Sequence, residues 1–124
     1  MHIENLRDYC LAKRGVTEEM PFGPATLVFK VGGKIFLLTN LDTVIDLRMN
    51  LKCDPAYALE LRETYMDTVI PGYHMNKKHW NTVYANRELS DDFLYTMIDE
   101  SYALVYRSLP KSIQDKLVSS LFLS

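Results

Sequence analysis

Two adjacent glycines, Gly32-Gly33, constrain this chain more than any other feature. They separate residues 25–31 from residues 34–39, two runs rich in valine, isoleucine, phenylalanine and leucine. Such side chains favour strands, and both glycines tolerate the positive φ of a two-residue type I′ turn. A β-hairpin is therefore predicted. Uninterrupted pairing across the turn puts Leu27, Phe29, Phe36 and Leu38 on one face, read as core. Thr26, Val28, Lys30, Ile35 and Leu37 fall on a mixed second face that something half covers.

The remaining elements follow from period and punctuation. Ile3, Leu6, Cys10 and Leu11 recur at helical spacing in residues 2–13, with Gly15 as the stop. Met20-Pro21-Phe22-Gly23-Pro24 reads as a loop, because two prolines and a glycine exclude regular structure. Over residues 44–52, Ile45, Leu47, Met49 and Leu51 alternate with Asp46, Arg48, Asn50 and Lys52, a strand with one wet face. Asp54 and Pro55 supply the N-cap and first position of a helix expected to run to about residue 66. Thr68-Val69-Ile70 is a short extended run stopped by Pro71-Gly72. Residues 79–85 alternate as a further strand, with Trp80, Thr82 and Tyr84 on one side. Ser90 caps a helix of about 18 residues, with Asp91 and Asp92 favourable to its dipole. Pro110 ends it, and a short last helix carries Ile113, Leu117 and Leu121. The order is helix, three-strand meander, helix, two strands, helix, helix. It predicts one α+β domain over residues 1–124, an antiparallel sheet with N-terminal, middle and C-terminal helices packed on it.

Composition enters where function is weighed. The 124 residues, 48% hydrophobic and 24% charged, suffice for one core. Cys10 and Cys53 are too few and too far apart for a disulfide scaffold, so reduced thiols are expected. The first residues carry early charges and no apolar signal core, and no run approaches the roughly 20 apolar residues of a membrane span. A cytoplasmic protein is expected. The net charge is −2, whereas nucleic-acid domains usually carry a basic footprint. A nucleic-acid role would have to rest on a local patch.

One segment supplies such a patch. Residues 71–80 hold Tyr73, His74, Asn76, Lys77, Lys78, His79 and Trp80 beside a turn. Lysines meet phosphates, and tyrosine or tryptophan faces stack on bases. The bland alternative is a polar loop whose Trp80 packs into the core. Arg48, Asn50 and Lys52 share one strand face and extend the patch if that strand lies nearby. Three phosphate contacts give a salt slope near about −2.7, or roughly 40-fold weaker binding between 50 and 200 mM salt. His74 and His79 are five apart, which suits neither strand nor helix convergence, and no cysteine is near them, so no metal is expected. Cys53 follows Lys52 and precedes a helix, both of which favour a thiolate, but no base is attached to it in sequence. Glu18-Glu19 and Asp91-Asp92 suggest no acid–base work.

The pieces PFGP at 21–24, TLVFKVGGKIF at 26–36, NLKCDP at 50–55, PGYHMNKKHWNTV at 71–83 and SYALVYRSLPK at 101–111 closely resemble the MmcQ/YjbR family of small bacterial proteins. The resemblance covers nearly the whole chain. It implies a double-wing α+β fold of frataxin-like or secretion-chaperone-like topology. It also implies DNA binding through two hairpin wings, a function proposed for the family from fold analogy. One wing would turn at Gly32-Gly33. The other would involve residues 71–83, where Tyr73, His74, Asn76, Lys77, Lys78 and Trp80 match the motif. Tyr84 to Leu89 lacks the glycine expected in the turn there.

The resulting expectation is a non-catalytic, monomeric binding module without metal or cofactor, with no membrane association. DNA is the leading ligand, met by Arg48, Lys52, Tyr73, His74, Asn76, Lys77, Lys78 and Trp80. The alternatives are a protein-interaction or chaperone-like adaptor using an apolar face around Val28, Ile35 and Leu37, and an enzyme with a pocket near Cys53 and His74.

Overall fold

A computed structural model describes residues 1–42, 46–73 and 75–123, with side chains as far as Val118. The readings placed on Ile45, His74 and the Leu121 side chain lie outside the described residues. The elements are α1 (Ile3–Leu11), β1 (Val16–Glu19), β2 (Thr26–Val31), β3 (Lys34–Asn40), β4 (Arg48–Lys52), α2 (Pro55–Thr64), β5 (Val69–Pro71), β6 (Trp80–Tyr84), α3 (Asp91–Ser108) and α4 (Lys111–Leu123). The strands form one sheet in the order β1-β2-β3-β4-β6-β5, with every described neighbour antiparallel. The fold is α+β, as the element order predicts.

Local chemistry accounts for the element ends. The Asp54 carboxylate accepts from the Tyr57 amide at 3.2 Å, and Pro55 opens α2. The Ser90 hydroxyl accepts from the Phe93 amide at 3.1 Å at the start of α3. Gly32 and Gly33 have φ of 57° and 83°, as a type I′ turn requires. The glycine missing after β6 is replaced by Asn86, at φ 61°, one of the few residues that enter the left-handed region readily.

The hairpin register departs from the uninterrupted pairing. Lys30 faces Ile35, but Phe29 faces Leu37, so Phe36 is the extra residue of a β-bulge. A one-residue slip reverses every side chain beyond it. Leu37, expected on the mixed face, joins Leu27 and Phe29 in the core, and Leu38 moves to the other face. The bulge is held by α3. The buried Ser101 hydroxyl donates to the Phe36 carbonyl at 2.5 Å and accepts from the Lys52 amide at 2.9 Å. The Phe36 ring meets Tyr102 edge-on at 5.4 Å.

Helix α3 crosses β2, β3 and β4. It covers the face that carries Leu27, Phe29, Leu37, Met49, Leu51 and Val83. Two further departures lie at the edges. Strand β1 was not predicted, because Val16-Thr17-Glu18-Glu19 offers one apolar residue. Pairing with β2 makes it a strand, and Arg7 of α1 forks onto Glu18 at 2.8 and 2.5 Å. Strand β4 starts only at Arg48. Asp46 lies outside it and takes Arg87 at 2.8 Å instead.

Candidate functional site: the open face of the sheet

The face away from α3 repeats a different chemistry. One row across it reads Glu19, Val28, Leu38, Asn50, Thr82 and Ile70. Beside that row Arg48 pairs with Tyr84 and Lys52 with Trp80. Arg48, Lys52 and Trp80, drawn from β4 and β6, thus share a face as the basic-patch reading requires.

The loop after β5 folds back over this face. Gly72 permits the reversal, since a Cβ there would stand 2.8 Å from the Trp80 Cβ and 2.9 Å from the Trp80 carbonyl oxygen. The Tyr73 amide donates to the Thr82 hydroxyl at 2.9 Å, that hydroxyl donates to the Asn50 side-chain oxygen at 2.5 Å, and the Asn50 amide donates to the Tyr73 carbonyl at 3.3 Å. A closed ring of polar groups so fixes Tyr73 over the sheet. The Arg48 guanidinium lies 5.6 Å from the Tyr73 ring centroid, a cation–π distance.

Arg62 of α2 holds the same loop from the other side. It donates to the Asn81 side-chain oxygen at 2.6 Å, to the Trp80 carbonyl at 3.2 Å and to the Lys77 carbonyl. Two of the residues expected to meet a ligand serve the loop itself. The Asn76 side chain accepts from the Lys78 amide at 2.9 Å, and the Lys77 ammonium donates to the Gly72 carbonyl at 3.1 Å. Lys78 is exposed. Among the described residues no ion pair includes Arg48, Lys52, Lys77 or Lys78.

A cleft of about 340 Å³ opens on this face. It is lined by Thr26, Leu38, Thr39, Asn40, Arg48 and Asn50 of β2, β3 and β4, by Phe22 of the loop before β2, and by Tyr73 and Met75 of the loop after β5. Phe22 is 65% exposed and Tyr73 55%. Sequence reasoning missed Phe22, Thr26, Leu38, Thr39, Asn40 and Met75. Leu38 was hidden by the bulge. Phe22 did carry a signal: an aromatic ring flanked by Pro21, Gly23 and Pro24 sits in a loop with no core period to claim it.

The YjbR family model matches residues 11–104. The chain belongs to the YjbR family. Among its relatives are the uncharacterized protein YbdF of Escherichia coli O157:H7, 44% identical over 101 residues, or 78% of each chain, and the uncharacterized protein YjbR of Escherichia coli K12, 32% identical over 95% of this chain and 98% of that one. The crystal structure of Deinococcus radiodurans protein DR2400, a DUF419 domain, superposes with a TM-score of 0.87 at 35% identity, covering 93% of this chain and 86% of that one. A Pseudomonas syringae crystal structure superposes with a TM-score of 0.72 at 25% identity, covering 85% and 99%.

Two stretches characteristic of the YjbR resemblance, PFGP at 21–24 and the long segment at 71–83, therefore flank one cleft. At the hairpin expected as a wing, a Cβ on Gly32 would lie 2.6 Å from the Leu109 side chain, so one side of the turn rests on the end of α3, while Gly32, Gly33 and Lys34 stay exposed. The adaptor patch is not assembled: Val28 and Leu37 are fully buried.

A second cleft of this YjbR-family protein, about 530 Å³ between α2 and α3, is lined by Cys53, Tyr57, Asp99, Glu100 and Arg107 among others. Burial, then Glu100 and Asp54, push the Cys53 thiol up to about 11, which keeps it protonated and a poor nucleophile at neutral pH. Among the described residues no three His, Cys, Asp or Glu side chains gather as a metal would need, and no helix is long and apolar enough to cross a membrane.

Proposed function

We propose that this YjbR-family protein is a non-catalytic, monomeric binding module whose ligand is DNA, held on the open face of its sheet. The observation that carries the reading is the disposition of charge. Arg48 and Lys52 share that face with Tyr73 and Trp80, Lys78 is exposed on the loop that folds over it, and none has an acidic partner among the described residues. Cations left unneutralised can release the counterions of a phosphate backbone, the main source of nucleic-acid affinity. With a net charge of −2 the rest of the surface opposes association, so binding is weak and salt-sensitive. The half-buried Cys53 thiol, raised to about 11 by desolvation and by Glu100 and Asp54, is a poor nucleophile, so this candidate for catalysis lends an enzymatic role no support.

The test is a fluorescence-anisotropy titration of labelled DNA between about 50 and 200 mM salt. Replacing Lys52 and Lys78 together by glutamine weakens binding alike for all sequences. On duplex it flattens the salt slope by about 0.9 for each phosphate no longer neutralised. Lys77 is left in place because its ammonium holds the Gly72 carbonyl. No binding at about 50 mM salt, where the electrostatic contribution is strong, overturns the proposal.

A further inference from the structure

We infer that the cleft between Phe22 and Tyr73 receives one unpaired base of a single strand, with the adjoining phosphate on Arg48. The inference rests on the DNA reading above and specifies the form of its ligand. Three observations carry it. First, Phe22, from the loop before β2, and Tyr73, from the loop after β5, both line the cleft, and both keep more than half of their surface in water, at 65% and 55%. Exposed aromatic rings beside a concavity offer what a base needs on its two faces. Second, the floor supplies one uncommitted cation. Asn50 is occupied by Tyr73 and Thr82, and the Asn40 side-chain oxygen accepts from the Asp42 amide at 2.8 Å. The Arg48 guanidinium makes no hydrogen bond or ion pair among the described residues and meets only the Tyr73 ring. A guanidinium in that setting suits a bidentate phosphate contact.

Third, shape separates the two forms of nucleic acid. A cleft of about 340 Å³ sits near the lower end of small-ligand sites, roughly 300–1,000 Å³. It admits a flat ring. The bases of a duplex are stacked inside it and reach a pocket only by being flipped out, which gives up their stacking and pairing. A single strand presents its bases without that cost, as it does to other sheet faces that stack bases on aromatic side chains. The floor is built to stay in position. The ring of hydrogen bonds through Tyr73, Thr82 and Asn50 and the fork of Arg62 tie the loop down before any ligand arrives, which reduces the ordering cost of binding.

The experiment compares a labelled single strand of about ten nucleotides with the duplex of the same sequence, by anisotropy at about 50 mM salt. It uses wild type, Phe22→Ala, Tyr73→Phe and Lys78→Gln, each checked for an unchanged thermal melt. The single strand binds wild type more tightly than the duplex. Phe22→Ala weakens the single strand by about tenfold to a hundredfold, the usual worth of a stacking ring, and leaves the duplex unchanged. Tyr73→Phe keeps the ring and binds as wild type; Phe22→Leu, used in case the alanine variant fails to fold, keeps apolar bulk without an aromatic face and weakens the single strand while leaving the duplex unchanged. Lys78→Gln weakens both forms alike. Equal binding of both forms, with neither changed by Phe22→Ala, overturns the base pocket and leaves the DNA reading standing. No binding of either form by wild type overturns both.

Discussion

The two faces of the sheet are made from alternate residues of the same strands, yet their side chains are satisfied in different ways. Toward α3, Leu27, Phe29, Leu37, Met49 and Val83 are at or close to zero exposure and pack on one another. Two buried polar groups there link the sheet to the helices: Ser101 of α3 bonds to the backbone of β3 and β4, and Asn81 to α2 through Arg62 and the Ala58 carbonyl. On the other face Asn50 and Thr82 bond to a loop, and Arg48 meets an aromatic ring. Stability is thereby concentrated on one side, and the proposed recognition lies on the other. A substitution can damage either with little effect on its counterpart, because distant sites with no shared partner behave additively.

The largest expected effect lies on the covered face. Phe36→Ala removes a fully buried ring that meets Tyr102 and holds the bulge in place. It should cost about 3–5 kcal/mol in a denaturant melt. If ligand affinity of the molecules still folded falls as well, the two faces are coupled and the comparison fails. Arg62→Ala should be intermediate and is the deliberate exception. Its guanidinium meets both Asn81, which is 1% exposed, and the backbone at Lys77 and Trp80. Losing it orphans a buried amide oxygen, for about 1–3 kcal/mol. It should also raise hydrogen exchange at the Tyr73 and Trp80 amides. Arg62→Lys rescues neither, since an ammonium cannot fork to three acceptors.

The smallest effect is a pH dependence at the edge strand. The hydrogen bond and charge of Arg7 hold the Glu18 carboxyl below its ordinary value of 4.5. A lowered folded-state pKa means the stabilisation is complete above that ordinary value and is lost as pH falls through the lower, folded one. The pair is largely solvated, so the loss is slight. It should show as a shallow fall in melting temperature below about pH 4.5 that is absent in Glu18→Gln. A fall of the same size in Glu18→Gln would assign the acid sensitivity elsewhere.

Much of this was readable from local pattern. The turn at Gly32-Gly33, the caps at Asp54 and Ser90 and the extent of α3 follow from chemistry confined to a few neighbouring residues. What escaped had no local cause. Strand β1 exists because β2 offers an unpaired edge. The bulge at Phe36 answers to a hydroxyl 65 residues away. Arg48, Lys52, Tyr73 and Trp80 were picked out as ligand-binding residues and do share a face, but Asn76 and Lys77 turn their polar groups inward to the loop. Phe22, the other aromatic side of the cleft, was passed over because a loop residue has no periodicity to interpret.

The sequence by itself determined the family and the kind and order of the elements other than β1, because propensity, capping and turn chemistry act over a few bonds and the characteristic stretches can be read in line. Only the tertiary structure decided which face each side chain of β3 occupies, that two distant loops line one cleft over the sheet, and which cations remain unpaired among the described residues. Those outcomes depend on hydrogen bonds and packing between segments up to 65 residues apart, and strand pairing leaves no trace in the order of residues until the partner is in place.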